Sequence, residues 1–222
     1  MNRALMMRLI AKDWYLSRLP LTLIALAGAI ATGLLYSGIK TAGLVGLISA
    51  LISLIFLSIL IPQLTVVNER KQGNLAFVMS LPISPAEFTM SKVLGNLSAF
   101  VLLWAAIVGA VLGTIAVTPG AGGVVPLGVI AALAPFVSFC LLLSVAIVTE
   151  SELLAMVTMG ATNVAYSFWW FLFRLPGFAE GLKSPVPIWS NTIMMIIGGQ
   201  IAVIVLALVL TFYLQSRKTD FV

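Results

Sequence analysis

The chain has no histidine, one cysteine and only 9% charged residues in a length of 222. An ordinary soluble domain carries about 25% charged residues, so a water-facing surface of the usual kind is excluded. Cys140, inside an apolar run, is the single cysteine, which rules out an intrachain disulfide and a cysteine metal cluster. Without histidine the commonest metal ligand is also missing, and transition-metal chemistry is not expected. No G-x-x-x-x-G-K-[ST] loop is present to hold a nucleotide phosphate, and no H-E-x-x-H or nucleophile elbow points to a hydrolase. No Asp, Glu, Lys or Arg falls in the middle of an apolar run, where ion-coupled transporters keep such groups.

What the chain does contain is apolar sequence, at 61% of residues. Runs of about 20 apolar residues match the roughly 30 Å hydrocarbon core of a bilayer. Only helices or closed barrels satisfy their backbone there. The expectation is an all-α membrane protein forming one transmembrane domain over 1–222, with six spans at about 19–39, 42–67, 88–117, 124–148, 153–173 and 188–214. Residues 1–18 mix Arg3, Arg8, Lys12 and Arg18 with Leu5, Met6, Leu9, Ile10 and Trp14, which suggests a separate helix lying on the membrane surface, with Asp13 intruding near its apolar side.

The net charge of +5 is topological rather than a nucleic-acid signal. Arg3, Arg8, Lys12, Arg18, Arg70, Lys71, Lys92, Arg217 and Lys218 fall on one side of the six-span topology, against Lys40, Arg174 and Lys183 on the other. By the positive-inside bias, both termini then lie in the cytosol.

The polar interval from Asn68 to Lys92 is the one stretch long enough to act as a docking handle. Gly73 and Asn74 interrupt the helix, Asn74 can cap a segment over 75–81, and Pro82 stops it. Ser84-Pro85-Ala86-Glu87 is a capping box with proline at the first helical position, so a new helix starts there. Lys92 is expected to snorkel to the inner headgroups. Pro62 and Gln63 predict a local break at the end of the second span, and Pro135 a kink in the fourth. Thr149 to Glu152 forms a second capping box of the T-x-x-E type.

Two further patterns carry alternatives. Thr158, Thr162 and Tyr166 recur every four residues on the fifth span, beside Asn163. They fit either a substrate path or interhelical hydrogen bonding worth roughly 0.6–2 kcal/mol per contact. Gly109 and Gly113 make a G-x-x-x-G, read as close helix packing.

The strings Glu69-Arg70-Lys71-Gln72-Gly73-Asn74-Leu75, Ser80-Leu81-Pro82-Ile83-Ser84 and Ser91-Lys92-Val93-Leu94-Gly95 resemble the E-R-x-x-G-T-L-E, S-L-P-I-S and K-x-L-G pattern of ABC-2 type transporter permeases. Asn74 and Ala76 stand where that pattern has threonine and glutamate. The resemblance implies a coupling helix between spans two and three, docked in a groove of a separate ATP-binding subunit. Gly73 to Leu81 would dock, with Leu75, Phe77, Val78 and Met79 supplying the apolar contacts, and Glu69, Arg70 and Lys71 the polar rim. It further implies a second contact at Glu150 and Glu152 and a re-entrant outer segment over 174–189. No cofactor is expected in this chain, since ATP and Mg would be bound by the partner. The implied partners are two ATP-binding subunits, a second permease, identical or paralogous, and membrane lipid; nucleic acid is not among them. The implied setting is a bacterial inner membrane and the activity export of an apolar or amphipathic substrate. From other classes, a stand-alone secondary transporter or channel and a membrane signalling scaffold also fit the spans.

Overall fold

The computed structural model describes residues 3–71, 85–149, 151–168, 171, 181–182 and 184–217. All regular elements among them are helical: α1 Arg3–Tyr36, α2 Lys40–Pro62, a π-helical turn Gln63–Val67, α3 Asn68–Lys71, α4 Pro85–Val117, a 3-10 turn Gly122–Val124, α5 Val125–Thr149, α6 Glu152–Ser167 and α7 Asn191–Ser216. Five of these stretches are long and apolar enough to cross a bilayer, namely Leu5–Tyr36, Lys40–Val67, Glu87–Val117, Gly122–Thr149 and Asn191–Ser216. The protein is therefore a multi-pass helical membrane protein. Where the sequence suggests the fifth span, over about 153–173, the described helix α6 has 16 residues, or about 24 Å at 1.5 Å each, short of the bilayer core, and 169–170 and 172–173 lie outside the described residues.

The separate surface helix expected at the N-terminus is absent. Residues 3–36 form one continuous helix of about 51 Å, and Pro20 lies inside it. The helix continues because Asp13, read as a flaw in an amphipathic face, is buried against neighbouring helices. Other boundaries agree with the local signals. The helix α4 starts at Pro85, and the break foreseen at Pro62 is the π-helical turn that follows it. The start of α6 differs from expectation, because Ser151 rather than Thr149 caps it and accepts the Leu154 N–H at 3.3 Å.

Helix α5 is the hub of the bundle and packs on α2, α4, α6 and α7, while α1 packs on α2 and α4. Phe100 and Phe139 stack in the core at 4.1 Å between ring centroids, with Phe136 and Trp104 against them. Pro135 has no N–H to give to the carbonyl of residue 131. The carbonyls on either side are taken by neighbouring helices, with Trp104 Nε1 donating to Ala132 at 2.7 Å and Gln200 Nε2 to Ile130 at 3.2 Å. The polar loop over 72–84 joins one end of the bundle, where α1 begins and α7 finishes. The turns at 37–39 and 118–121 lie at the other end.

Close helix packing falls on glycines other than those expected. Nothing lies within 4 Å of a Cβ built on Gly109 or Gly113. A Cβ on Gly46 would meet the Ala31 carbonyl oxygen at 2.5 Å and the Leu35 nitrogen at 2.8 Å, both backbone atoms that cannot yield. Gly46 thus sets the α1–α2 hairpin. Gly46→Leu should lower stability by about 1–3 kcal/mol through overpacking, whereas Gly109→Leu should unfold with the parent. Thermal unfolding of both variants in the same detergent checks the contrast, and equal midpoints would remove Gly46 from that role.

Candidate functional site: a buried charge cluster at the foot of the polar loop

Four charged side chains from three stretches meet where the loop joins the bundle. Lys12 and Asp13 come from α1, Glu69 from α3 just before the loop, and Lys92 from the second turn of α4 just after it. Lys92 is 1% exposed, Asp13 2% and Glu69 5%. Lys92 Nζ donates to Asp13 Oδ1 at 3.1 Å and Oδ2 at 3.0 Å, and to the Thr65 carbonyl at 2.9 Å; it also pairs with Glu69 Oε2. Glu69 Oε1 accepts from Lys12.

An ammonium has three donors. Asp13, Glu69 and the Thr65 carbonyl satisfy them, and two cations balance two anions. Burial of charge is tolerable only on those terms, because an ion removed from water costs several kcal/mol unless it is paired and hydrogen-bonded. The π-helical turn is part of the arrangement. It shifts the backbone hydrogen bonding by one residue, so that the Asn68 N–H reaches Gln63, and the Thr65 carbonyl serves Lys92. The Thr65 hydroxyl donates to Asn96 Oδ1, while Asn96 Nδ2 donates to the Lys92 carbonyl at 2.6 Å. Asn96 thus braces the helix turn that carries Lys92.

Two expectations are corrected here. Lys92 does not snorkel to a headgroup layer; it turns inward because two carboxylates and a carbonyl await it. Glu69, expected at an exposed polar rim, is buried by the same pairing. For Arg70 and Lys71 the backbone lies in α3, and their side chains are outside the described residues. Gly73, Leu75, Phe77, Val78, Met79 and Leu81 fall outside them altogether, as does Glu150. Glu152 occupies the first turn of α6. The sequence carried one signal for this site, the isolated Asp13 on the wrong face of α1.

The polar stripe on α6 divides. Thr158 donates to the Leu154 carbonyl at 2.8 Å, Thr162 to Met159 at 3.0 Å and Asn163 Nδ2 to Met159 at 2.8 Å, all within α6. Tyr166 alone reaches across, sharing a 2.7 Å hydrogen bond with Ser138 of α5. Tyr166 also borders a cavity of about 460 Å³ between α2, α4 and α5, whose other walls are aliphatic.

The segment after α6, expected on the outer side, is described in part. The Gly123 N–H donates to the Ser184 carbonyl at 3.0 Å, and a Cβ on Gly122 would strike the Pro185 oxygen at 2.4 Å. These glycines let the segment lie directly on the 3-10 turn. Of the re-entrant segment expected over 174–189, residues 174–180 and 183 lie outside the described residues.

The fold and the cluster define a class, a helical multi-pass membrane protein with an ionic clasp at one end of its bundle. No family model, curated protein or solved structure matches the chain.

Proposed function

We propose that the chain is the permease subunit of an ABC-2 type ATP-binding cassette transporter, exporting an apolar or amphipathic substrate. One observation carries the proposal: Glu69 just before the polar loop and Lys92 just after it are held in one buried cluster that also grips α1. A loop clasped on both flanks passes a force to α1, α2 and α4 together, as a coupling element must. The resemblance over Glu69 to Gly95 supplies the kind of partner, an ATP-binding subunit that holds ATP and Mg.

In this scheme the loop end faces the cytosol, consistent with its basic residues, in a bacterial inner membrane. The fifth span expected over about 153–173 begins with α6 and would complete the six-span topology. Two ATPase subunits close on ATP, the coupling segments of two permease copies follow, and the bundles turn outward; hydrolysis resets them. The aliphatic cavity and the lack of midspan charge suit a cargo with a large apolar part.

The test is a mild-detergent pull-down of the tagged chain with assay of ATP hydrolysis. A stoichiometric ATP-binding partner with ATPase activity is the expected result. A chain that comes down alone and moves solute in liposomes without ATP would overturn the proposal in favour of a secondary transporter.

A further inference from the structure

We infer that the cavity between α2, α4 and α5 is a slot for one acyl chain of a glycerophospholipid, entered sideways from the bilayer with the headgroup at the turn end. The inference needs only that the chain sits in a membrane, and stands or falls separately from any ATPase partner.

Dimensions come first. Along α2 the wall runs from Leu44 to Leu54, ten residues or about 15 Å. That is half of the roughly 30 Å hydrocarbon core, the depth of a single leaflet. The volume of about 460 Å³ is roughly three times the 150 Å³ of an apolar protein cavity that binds benzene. By that scale it has room for about eighteen carbon atoms.

Chemistry comes next. No charged residue lines the cavity. Water gains little there, because a water needs two to four polar partners. The single hydroxyl on the wall, that of Tyr166, is already bonded to Ser138. That serine lies beyond Ala132 toward the loop end, so Tyr166 closes the floor at mid-membrane depth. Leu44 and Ile48 on the wall are also exposed on the outside of the bundle, which places the opening toward lipid. At the turn end Lys40 is exposed one helical turn before Leu44, on the same face of α2. Its ammonium stands where the phosphate of a lipid in the slot would lie.

The full chain, reconstituted in phosphatidylglycerol vesicles, would be labelled with phosphatidylglycerol carrying a photoactivatable diazirine in one acyl chain, and the labelled residues mapped by peptide mass spectrometry. With the diazirine near the ester, label is expected at Leu44, Ile115 and Val124. With the diazirine at the chain terminus, it is expected to move to Leu54 and Ile107. Met194 and Met195, exposed on α7, report labelling by bulk lipid. Ala131→Phe, which intrudes into the slot, should cut labelling of the walls roughly tenfold relative to those methionines, since displacing even two methylenes is worth about that factor. The unaltered chain decides the matter even if that variant fails to fold. Wall labelling no higher than on α7, or label that does not move with the diazirine, would overturn the inference.

Discussion

Lys92→Met is expected to cost about 3–5 kcal/mol of stability, because it leaves the buried carboxylates of Asp13 and Glu69 to share the single ammonium of Lys12. The variant should unfold well below the parent in a thermal scan in detergent. Removing the opposite charge as well is expected to recover most of the loss. In Asp13→Leu/Lys92→Met the remaining charges, Lys12 and Glu69, still pair with each other. Lys92→Arg should not substitute well, since a planar guanidinium cannot point donors at two carboxylates and the Thr65 carbonyl as an ammonium does. If Lys92→Met unfolded with the parent, the clasp would contribute nothing to holding α1, α3 and α4 together. The mechanical part of the proposed function would then lose its footing.

A second large effect is expected in the coupling segment, which lies outside the described residues. Replacing Phe77 and Val78 by Asp would put two carboxylates in an interface proposed to be apolar, where an unpaired charge is strongly disfavoured. Interface anchors of this kind are worth at least about 3 kcal/mol together, a hundredfold or more in affinity. The ATP-binding partner should therefore be lost from the pull-down, while insertion and thermal stability stay those of the parent. An ATPase that still copurifies in full would move the docking surface elsewhere. The two experiments separate two roles, since the loop variant tests recognition and the Lys92 series tests transmission.

The span positions were legible because apolar runs of bilayer length leave the chain little choice, and α2, α4, α5 and α7 fall close to where composition puts them. Local capping chemistry was legible too, as at Pro85 and at the π-helical turn after Pro62. Pairing between distant elements was not. Asp13, Glu69 and Lys92 lie far apart in sequence, and each has a plausible local explanation at the end of a span. Only the packing of α1 on α4 brings them into contact. Glycine spacing also misled, since Gly109 and Gly113 satisfy a motif without facing a neighbour, while Gly28 and Gly46 sit at close contacts without forming one. On helices that are apolar all round, periodicity does not reveal which side meets another helix.

The backbone around Pro135 has a consequence for any moving bundle. The carbonyls at 130 and 132 are held from outside, by Gln200 of α7 and Trp104 of α4. Separating α5 from α4 and α7 would break both hydrogen bonds. The central helix is therefore a post riveted from two sides, and under the proposed function a stroke that starts at the loop would swing the α1–α2 hairpin around it.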